Sequence, residues 1–160
     1  MPYKAGFEQK FLLASDVHFD NPDCDRKLFK KHLDQAVEQG AGILINGDFF
    51  CLMEGRSDPR NSKKVRKEHW GINYLDNVVE EAAEFLEPYS KNIVFIGMGN
   101  HETAILKRSE TNVTERLCGL LKYKTGNMVY NGHYSGFVKF MFYQNTKGGF
   151  KGMRQSQILS

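Results

Sequence analysis

The sequence has few cysteines, no long hydrophobic run and no strong excess of either charge. Its three cysteines, Cys24, Cys51 and Cys118, are odd in number and form no C-x-x-C pair. This usage disfavours a disulfide framework or a zinc knuckle and is typical of a reducing compartment. The apolar run at 11–14 is too short for a signal-peptide core, and no stretch approaches the ~18 apolar residues of a membrane-spanning helix. We therefore expect a cytoplasmic protein with no membrane partner.

The composition is that of an ordinary globular domain. Hydrophobic residues make up 41% and charged residues 26% of the 160 positions, which argues against disorder, collagen and coiled coil. The formal net charge of +3 neither implies nor excludes a nucleic-acid partner. A chain of this length buries enough surface to fold without disulfides, so we expect residues 1–160 to form a single domain.

Apolar runs alternate with helical periodicities along the chain, which predicts an α/β fold. Strand–helix–strand repeats with right-handed crossovers predict a largely parallel sheet covered on both faces. The last two strands are expected to be antiparallel or edge additions. In such a sheet, ligands bind beyond the carboxyl ends of the strands. The predicted strands are 10–14, 42–45, 92–98, 128–130 and 137–143, and the predicted helices are 25–39, 72–86 and 114–122.

Polar residues with metal-binding chemistry follow each of the first three predicted strands. Parallel neighbours would bring the three sets to one edge of the sheet. Taken singly, each set is also typical of a turn or a capped helix start, but the three together favour a site. Carboxylate, amide and imidazole groups suit Mn²⁺, Fe or Zn²⁺, and the lack of a thiolate disfavours a structural zinc site. The sets are Asp16-x-His18, Gly47-Asp48 and Gly99-Asn100-His101-Glu102.

The spacing within these sets predicts how they would share metal ions. In an extended segment, Asp16 and His18 would point the same way and hold one cation together. Asp48 has two oxygens and can bridge that cation to a second one about 3.5–4 Å away. Asn100 offers a neutral oxygen to the second cation.

In this order, the three sets resemble the first three motifs of the calcineurin-like metallophosphoesterases, over roughly residues 10–105. The resemblance implies a β-sandwich flanked by helices that holds two divalent metal ions. It implies Asp16 and His18 on the first ion, Asp48 bridging and Asn100 on the second. His101 would be the catalytic group near the leaving oxygen or the developing phosphate charge, and not a ligand.

The residues immediately after Gly47-Asp48 indicate the subtype. The protein Ser/Thr phosphatases carry G-D-x-x-D-R-G at this motif, and this chain does not. The segments 16–28 and 100–106 look more like phage and bacterial members of the family whose substrates are uncertain.

The chain departs from the family at its C-terminal G-H-x-H motif, which is absent. Its histidines stand at positions 18, 32, 69, 101 and 133, and no two are two apart. Gly132-His133 is the candidate for a late ligand, with a loop between two strands as the alternative role for His133. The tail at 146–160 looks like a chain that stops early or a rearranged end. We therefore expect a C-terminally incomplete, truncated sandwich with a weak second metal site.

Together these observations predict a hydrolase, a metallophosphoesterase in which a metal-bound hydroxide attacks a phosphomonoester or phosphodiester. Mn²⁺ is the expected ion, with Fe or Zn²⁺ as alternatives. Six basic residues within twelve positions favour a nucleic acid or nucleotide as the substrate, against a solvated loop as the alternative. The rival hypothesis is a truncated, catalytically weak or inactive metal-binding or interaction module. The basic residues are Arg56, Arg60, Lys63, Lys64, Arg66 and Lys67.

Overall fold

The computed structural model describes residues 8–52, 66, 69, 72–146 and 149–159, with side chains described as far as residue 141. None of the described helices is long and apolar enough to cross a membrane. The elements are β1 (Phe11–Ala14), α1 (Arg26–Glu38), β2 (Gly42–Ile45), α2 (Tyr74–Leu86), a 3-10 turn (Glu87–Tyr89), β3 (Ile93–Ile96), α3 (Asn100–Ser109), α4 (Val113–Thr125), β4 (Tyr130–Asn131), β5 (Phe137–Thr146) and β6 (Gly149–Leu159).

The first four strands form a parallel sheet in the order β1-β2-β3-β4. Because crossovers are right-handed, parallel strands added in sequence order place their connecting helices on one face. The main core accordingly combines α1, α2 and α4 with one face of the sheet. These helices therefore cover one face of the sheet. The strand predicted at 128–130 is a short parallel edge strand.

The helices begin and end at residues suited to those positions. Asp25 caps α1 by accepting the Leu28 N–H at 2.9 Å, and Asn112 caps α4 by accepting the Glu115 N–H at 3.0 Å. Gly126, at a φ of 73°, ends α4 in the left-handed conformation. The apolar stripes of α1, α2 and α4 face the sheet. Their buried hydrophobic residues are Phe29, Leu33, Ala36, Val78, Val79, Ala82, Ala83, Leu86, Val113, Leu117, Cys118 and Leu121.

The other face of the parallel sheet is packed by a strand. Phe140 of β5 lies in a second core cluster with Leu44 and Phe95, and its ring centroid is 4.6 Å from that of Phe11. β5 pairs with β6 as an antiparallel hairpin. The sheet thus lies between a helical layer and a β-hairpin, which confirms the mixed α/β class with flanking helices.

Two elements were not predicted. α3 begins within the third motif, at Asn100, and buries only Glu102 and Ile105. β6 lies in the tail, for which the sequence indicated an early chain end or a rearranged end and no strand was predicted. Of these two elements, α3 bears on the site, because its first turn carries Asn100 and His101.

Candidate metal centre

The loops that leave the parallel strands run side by side at the carboxyl edge of the sheet. The Asp16 N–H donates to the Gly47 carbonyl at 3.2 Å, and the His18 N–H donates to the Asp48 carbonyl at 3.1 Å. At the other side, the Met98 N–H donates to the His133 carbonyl at 2.7 Å. The backbone of all three motifs, and of His133, therefore meets at one edge. Their roles as ligands remain predictions.

Four of the candidate ligands have left-handed backbone conformations. The φ angles are 54° at Asp16, 48° at His18, 46° at Asp48 and 55° at His133. Asp16 and His18 are therefore not in an extended segment, and the reasoning from strand alternation does not apply to them. Such conformations are uncommon for non-glycine residues and persist where surrounding contacts impose them. In the described chain, four of the six non-glycine residues with positive φ are these candidates.

Asp48 is held against the start of α3. Its Oδ1 accepts the His101 N–H at 3.0 Å. A side chain at Gly99 would overlap the Asp48 carboxylate, so this position has room only for glycine. A side chain at Gly47, at a φ of 75°, would come within 2.9 Å of the Gly99 backbone nitrogen. The two motif glycines thus allow the second and third loops to approach each other.

Three side chains converge beside Asp48, and one of them was missed from the sequence. Donor atoms of His18, Cys51 and His101 all lie within 4.8 Å of one another. The two imidazole rings meet edge to face, with centroids 4.7 Å apart. Cys51 lies three residues after Asp48, outside the predicted motifs, so the edge does contain a sulfur donor. In the described chain, Asp16, Asp48 and His133 lie outside this close group.

Two buried carboxylates fix the loop that follows β2. Glu102 is fully buried and accepts the N–H groups of Phe50 and Gly99, each at 2.8 Å. Burial raises the pKa of Glu102, against the opposing effect of these hydrogen bonds. Asp20 is 2% exposed and accepts the N–H groups of Cys51 at 2.6 Å and Leu52 at 2.9 Å. Glu102, one of the predicted edge groups, therefore points into the protein and supports the loop.

Asn100 and His101 differ in their surroundings. Asn100 is exposed and lines a groove of about 560 Å³ with Lys107, Arg108 and Tyr134. His101 is half-buried, and its Nδ1 lies 2.6 Å from the Cys51 carbonyl oxygen. Because a carbonyl only accepts, Nδ1 carries a proton, and in the neutral ring the lone pair is on Nε2.

The basic run lies mostly beyond the described residues. Arg66 is described and donates to the Asn21 carbonyl at 2.9 Å. Arg56, Arg60, Lys63, Lys64 and Lys67 lie outside the described residues. The nucleic-acid prediction that depends on them stays a prediction.

The donor set at this edge fits a divalent transition-metal ion. It combines carboxylate oxygens with imidazole nitrogens, the ligands that Mn²⁺, Fe and Zn²⁺ share. The Asp48 carboxylate occupies a space that a Gly99 side chain would fill.

A family model described as calcineurin-like phosphoesterase matches residues 9–156. No curated protein and no solved structure matches the chain.

Proposed function

The chain belongs to the calcineurin-like phosphoesterase family, and we propose that it hydrolyses a phosphate ester at the carboxyl edge of its parallel sheet. The family supports a metal-dependent hydrolase. The observation that carries the proposal is the left-handed backbone of Asp16, His18 and Asp48, whose loops are hydrogen-bonded together at that edge. Strain of this kind collects at functional sites.

We assign Asp16, His18 and Asp48 to a first divalent ion. Asp48, Asn100 and His133 are assigned to a second, more weakly held ion. Mn²⁺ is the proposed metal, with Fe or Zn²⁺ as alternatives. Bound ions of this kind lower the pKa of water and neutralise phosphoryl charge.

The chain's own residues then orient the substrate and move a proton. The hydrogen bond from Nδ1 of His101 to the Cys51 carbonyl fixes the ring, so Nε2 is the atom that exchanges a proton. When protonated, Nε2 donates to the leaving oxygen as that oxygen gains charge. The hydrogen bond from the His101 backbone N–H to the Asp48 carboxylate fixes the position of the carboxylate relative to residue 101.

We propose a nucleotide or nucleic acid as the substrate. The composition of segment 56–67 supports it, as does the groove beside Asn100, where Lys107 and Arg108 supply positive charge. Tyr134 is 68% exposed in the same groove and offers a ring on which a base can stack. These features are compatible with both phosphomonoesters and phosphodiesters.

Hydrolysis across a Mn²⁺ series tests the proposal. Aryl phosphate and bis-aryl phosphate are compared for wild type, Asp16→Asn and the exposed Asp76→Asn of α2. We expect the Asp16 variant to lose at least about 100-fold in kcat/KM and most of the Mn²⁺-induced rise in melting temperature. The Asp76 variant should resemble wild type. Turnover indifferent to Asp16 would overturn the site. Mn²⁺ binding without turnover on either substrate would favour a metal-binding module.

A further inference from the structure

The close group of His18, Cys51 and His101 does not follow from the predicted two-metal arrangement. Its three donor atoms lie within 4.8 Å of one another, whereas the assigned carboxylates lie outside it. Cys51 is 1% exposed, and both imidazoles are half-buried. The group is therefore shielded from bulk water on the Cys51 side and open on the side of the imidazoles.

His101 presents a lone pair in the manner of a metal-binding imidazole. Its Nδ1–H donates to the Cys51 carbonyl at 2.6 Å, so in the neutral ring the lone pair is on Nε2. Histidine ligands usually donate their other ring N–H to a carboxylate or a backbone carbonyl, which fixes tautomer and orientation. The acceptor here belongs to Cys51 itself, so one hydrogen bond ties the two donor residues together.

The backbone around Cys51 is fixed on both sides. Asp20 accepts the N–H groups of Cys51 and Leu52, and Glu102 accepts that of Phe50. Leu52 itself is held at a φ of 52°. The Cys51 side chain therefore leaves a rigid turn, and small adjustments of the donor atoms fall to side-chain rotation.

The distances suit a tetrahedral ion after a modest contraction. Zn–S bonds of about 2.3 Å and Zn–N bonds of about 2.0–2.1 Å place tetrahedral donor atoms roughly 3.3–3.8 Å apart. The observed separations, at most 4.8 Å, need to close by up to about 1.0–1.5 Å. Closing them requires rotation about the side-chain bonds of His18 and Cys51, and the Cys51 Sγ then exchanges the hydrogen bond that it accepts from Asn21 Nδ2 at 3.6 Å for a bond to the ion.

We propose that His18, Cys51 and His101 form a binding site for a thiophilic divalent cation such as Zn²⁺ or Cd²⁺. One thiolate and two imidazoles select such ions over Mn²⁺ and Mg²⁺, which prefer oxygen. Three protein ligands leave the fourth position open. The site exists independently of phosphoesterase activity.

Occupancy of this site has a consequence that rests on the proposed function. His18 is shared with the proposed first ion, and His101 is the proposed proton donor. A thiophilic ion bound here takes both residues from the hydrolytic arrangement. In the Mn²⁺-loaded protein, a Zn²⁺ or Cd²⁺ ion bound at this site is therefore an inhibitor that competes with Mn²⁺, and its effect requires the Cys51 thiolate.

Titration of the full chain with Cd²⁺ tests the site without any activity assay. Thiolate binding gives a ligand-to-metal charge-transfer band in the ultraviolet. We expect one equivalent of Cd²⁺ per wild-type chain to produce the band. Added Zn²⁺ should abolish the band, and added Mn²⁺ should not. Loss of a residue that is hydrogen-bonded to a metal ligand costs about 10–100-fold in metal affinity. Cys51→Ser removes a ligand itself, so it should cost at least about 100-fold in Cd²⁺ affinity.

The other two cysteines provide matched controls. Cys118 is buried in α4 and Cys24 is half-buried, so Cys118→Ser and Cys24→Ser should retain the band. His101→Gln keeps the thiol but removes a nitrogen donor, and should weaken Cd²⁺ binding at least about 10-fold. If Cys51→Ser does not fold, His101→Gln still tests the metal site. An unchanged titration in Cys51→Ser or in His101→Gln would overturn the site.

The activity assay separates this inference from the proposed function. If Cd²⁺ binds through Cys51 and no ester is hydrolysed, the thiophilic site stands and the phosphoesterase proposal fails. If Mn²⁺ supports hydrolysis and Cd²⁺ gives no thiolate band, the thiophilic site fails alone. In an active protein, we expect the inhibition by Zn²⁺ to weaken at least about 10-fold in Cys51→Ser, and equal inhibition would overturn the proposed competition.

Discussion

Carboxylates are stabilised differently at the sheet edge and between the helices. Asp20 and Glu102 at the edge accept backbone N–H groups, and neither forms an ion pair within the described chain. Glu81 of α2 instead accepts both guanidinium nitrogens of Arg26 and the His69 ring at 2.5 Å. Burial raises the pKa of Glu102. For Glu81, burial acts in the same direction, but the hydrogen bonds to His69 and Arg26 outweigh it and lower the pKa to about 2.

The difference reflects what each region has to do. Backbone donors fix the path of a loop, which the edge needs in order to keep Asp16, His18 and Asp48 in left-handed conformations. A cationic side chain at the edge would compete with the proposed metal ion for Asp16 and Asp48. Between the helices no metal ion is proposed, and the Arg26–Glu81 pair connects α2 to the start of α1.

The largest expected effect concerns Asp48, the proposed ligand of both metal ions. In Gly99→Ala, the new methyl group overlaps the Asp48 carboxylate and must displace it. We expect destabilisation by up to about 3 kcal/mol and loss of at least about 100-fold in Mn²⁺ affinity. Urea unfolding and Mn²⁺ titration measure the two effects.

Gly119 supplies the control for that substitution. It lies in α4, and an added methyl group would meet no atom within 4 Å. Gly119→Ala should stabilise the protein by up to about 1 kcal/mol and leave Mn²⁺ binding unchanged. Equal effects of the two substitutions would contradict the role given to Gly99.

The second prediction concerns the Glu102 side chain, which accepts backbone N–H groups at the edge. Glu102→Gln relieves the cost of a buried charge, but its amide accepts only one of the Phe50 and Gly99 N–H groups. The other donor then faces an N–H, so we expect a net loss of about 2 kcal/mol. Amide hydrogen exchange should speed up at Phe50 or at Gly99, whichever faces the new amide N–H. Unchanged exchange at both would mean that Glu102 does not hold the loop.

Some elements of the fold could be predicted from the sequence and others could not. The strands and helices up to β3 were predicted within two residues, because strong apolar runs and stripes mark them. α3 was missed because only Glu102 and Ile105 are buried along it, which leaves no stripe. β6 was missed because its segment is mostly polar and its pairing with β5 is made by the backbone.

The site shows the same division between local and long-range information. The three motifs and the edge at which they meet follow from residue types at strand ends. Cys51 and Asp20 were not singled out, because their contact joins residues 31 apart in sequence. The left-handed conformations were equally inaccessible, since Asp and His are not residues that require positive φ.

The third prediction concerns pH and the charged network. Glu81 has an ordinary pKa of 4.5 when unfolded and about 2 when folded, so the unfolded chain binds more protons between these values. Its stabilisation is therefore present above pH 4.5 and lost as the pH falls toward 2. Glu81→Gln should cost about 1.5 kcal/mol at pH 7 and progressively less below pH 4.5.

Urea unfolding at a series of pH values measures this effect. Glu84 is exposed on the same helix, and Glu84→Gln serves as the control, with a stability close to wild type at every pH. If Glu81→Gln destabilises the protein equally at pH 7 and pH 3, the charge of Glu81 is not the source of its contribution.

The smallest effect is expected where a charge pair is exposed. Asp76 of α2 pairs with Arg116 of α4, and their side chains are 65% and 36% exposed. Water and salt screen such a pair, and Asp76 adds only a modest interaction with the N-terminus of α2. Asp76→Asn should therefore cost less than about 1 kcal/mol, and the cost should shrink as salt is raised from 0.05 to about 1 M because the Debye length falls to about 3 Å. The effect of Glu81→Gln, in a half-buried network, should persist in high salt. A salt-insensitive Asp76 variant, or a Glu81 variant whose effect disappears in salt, would mean that burial is not what separates the two ion pairs.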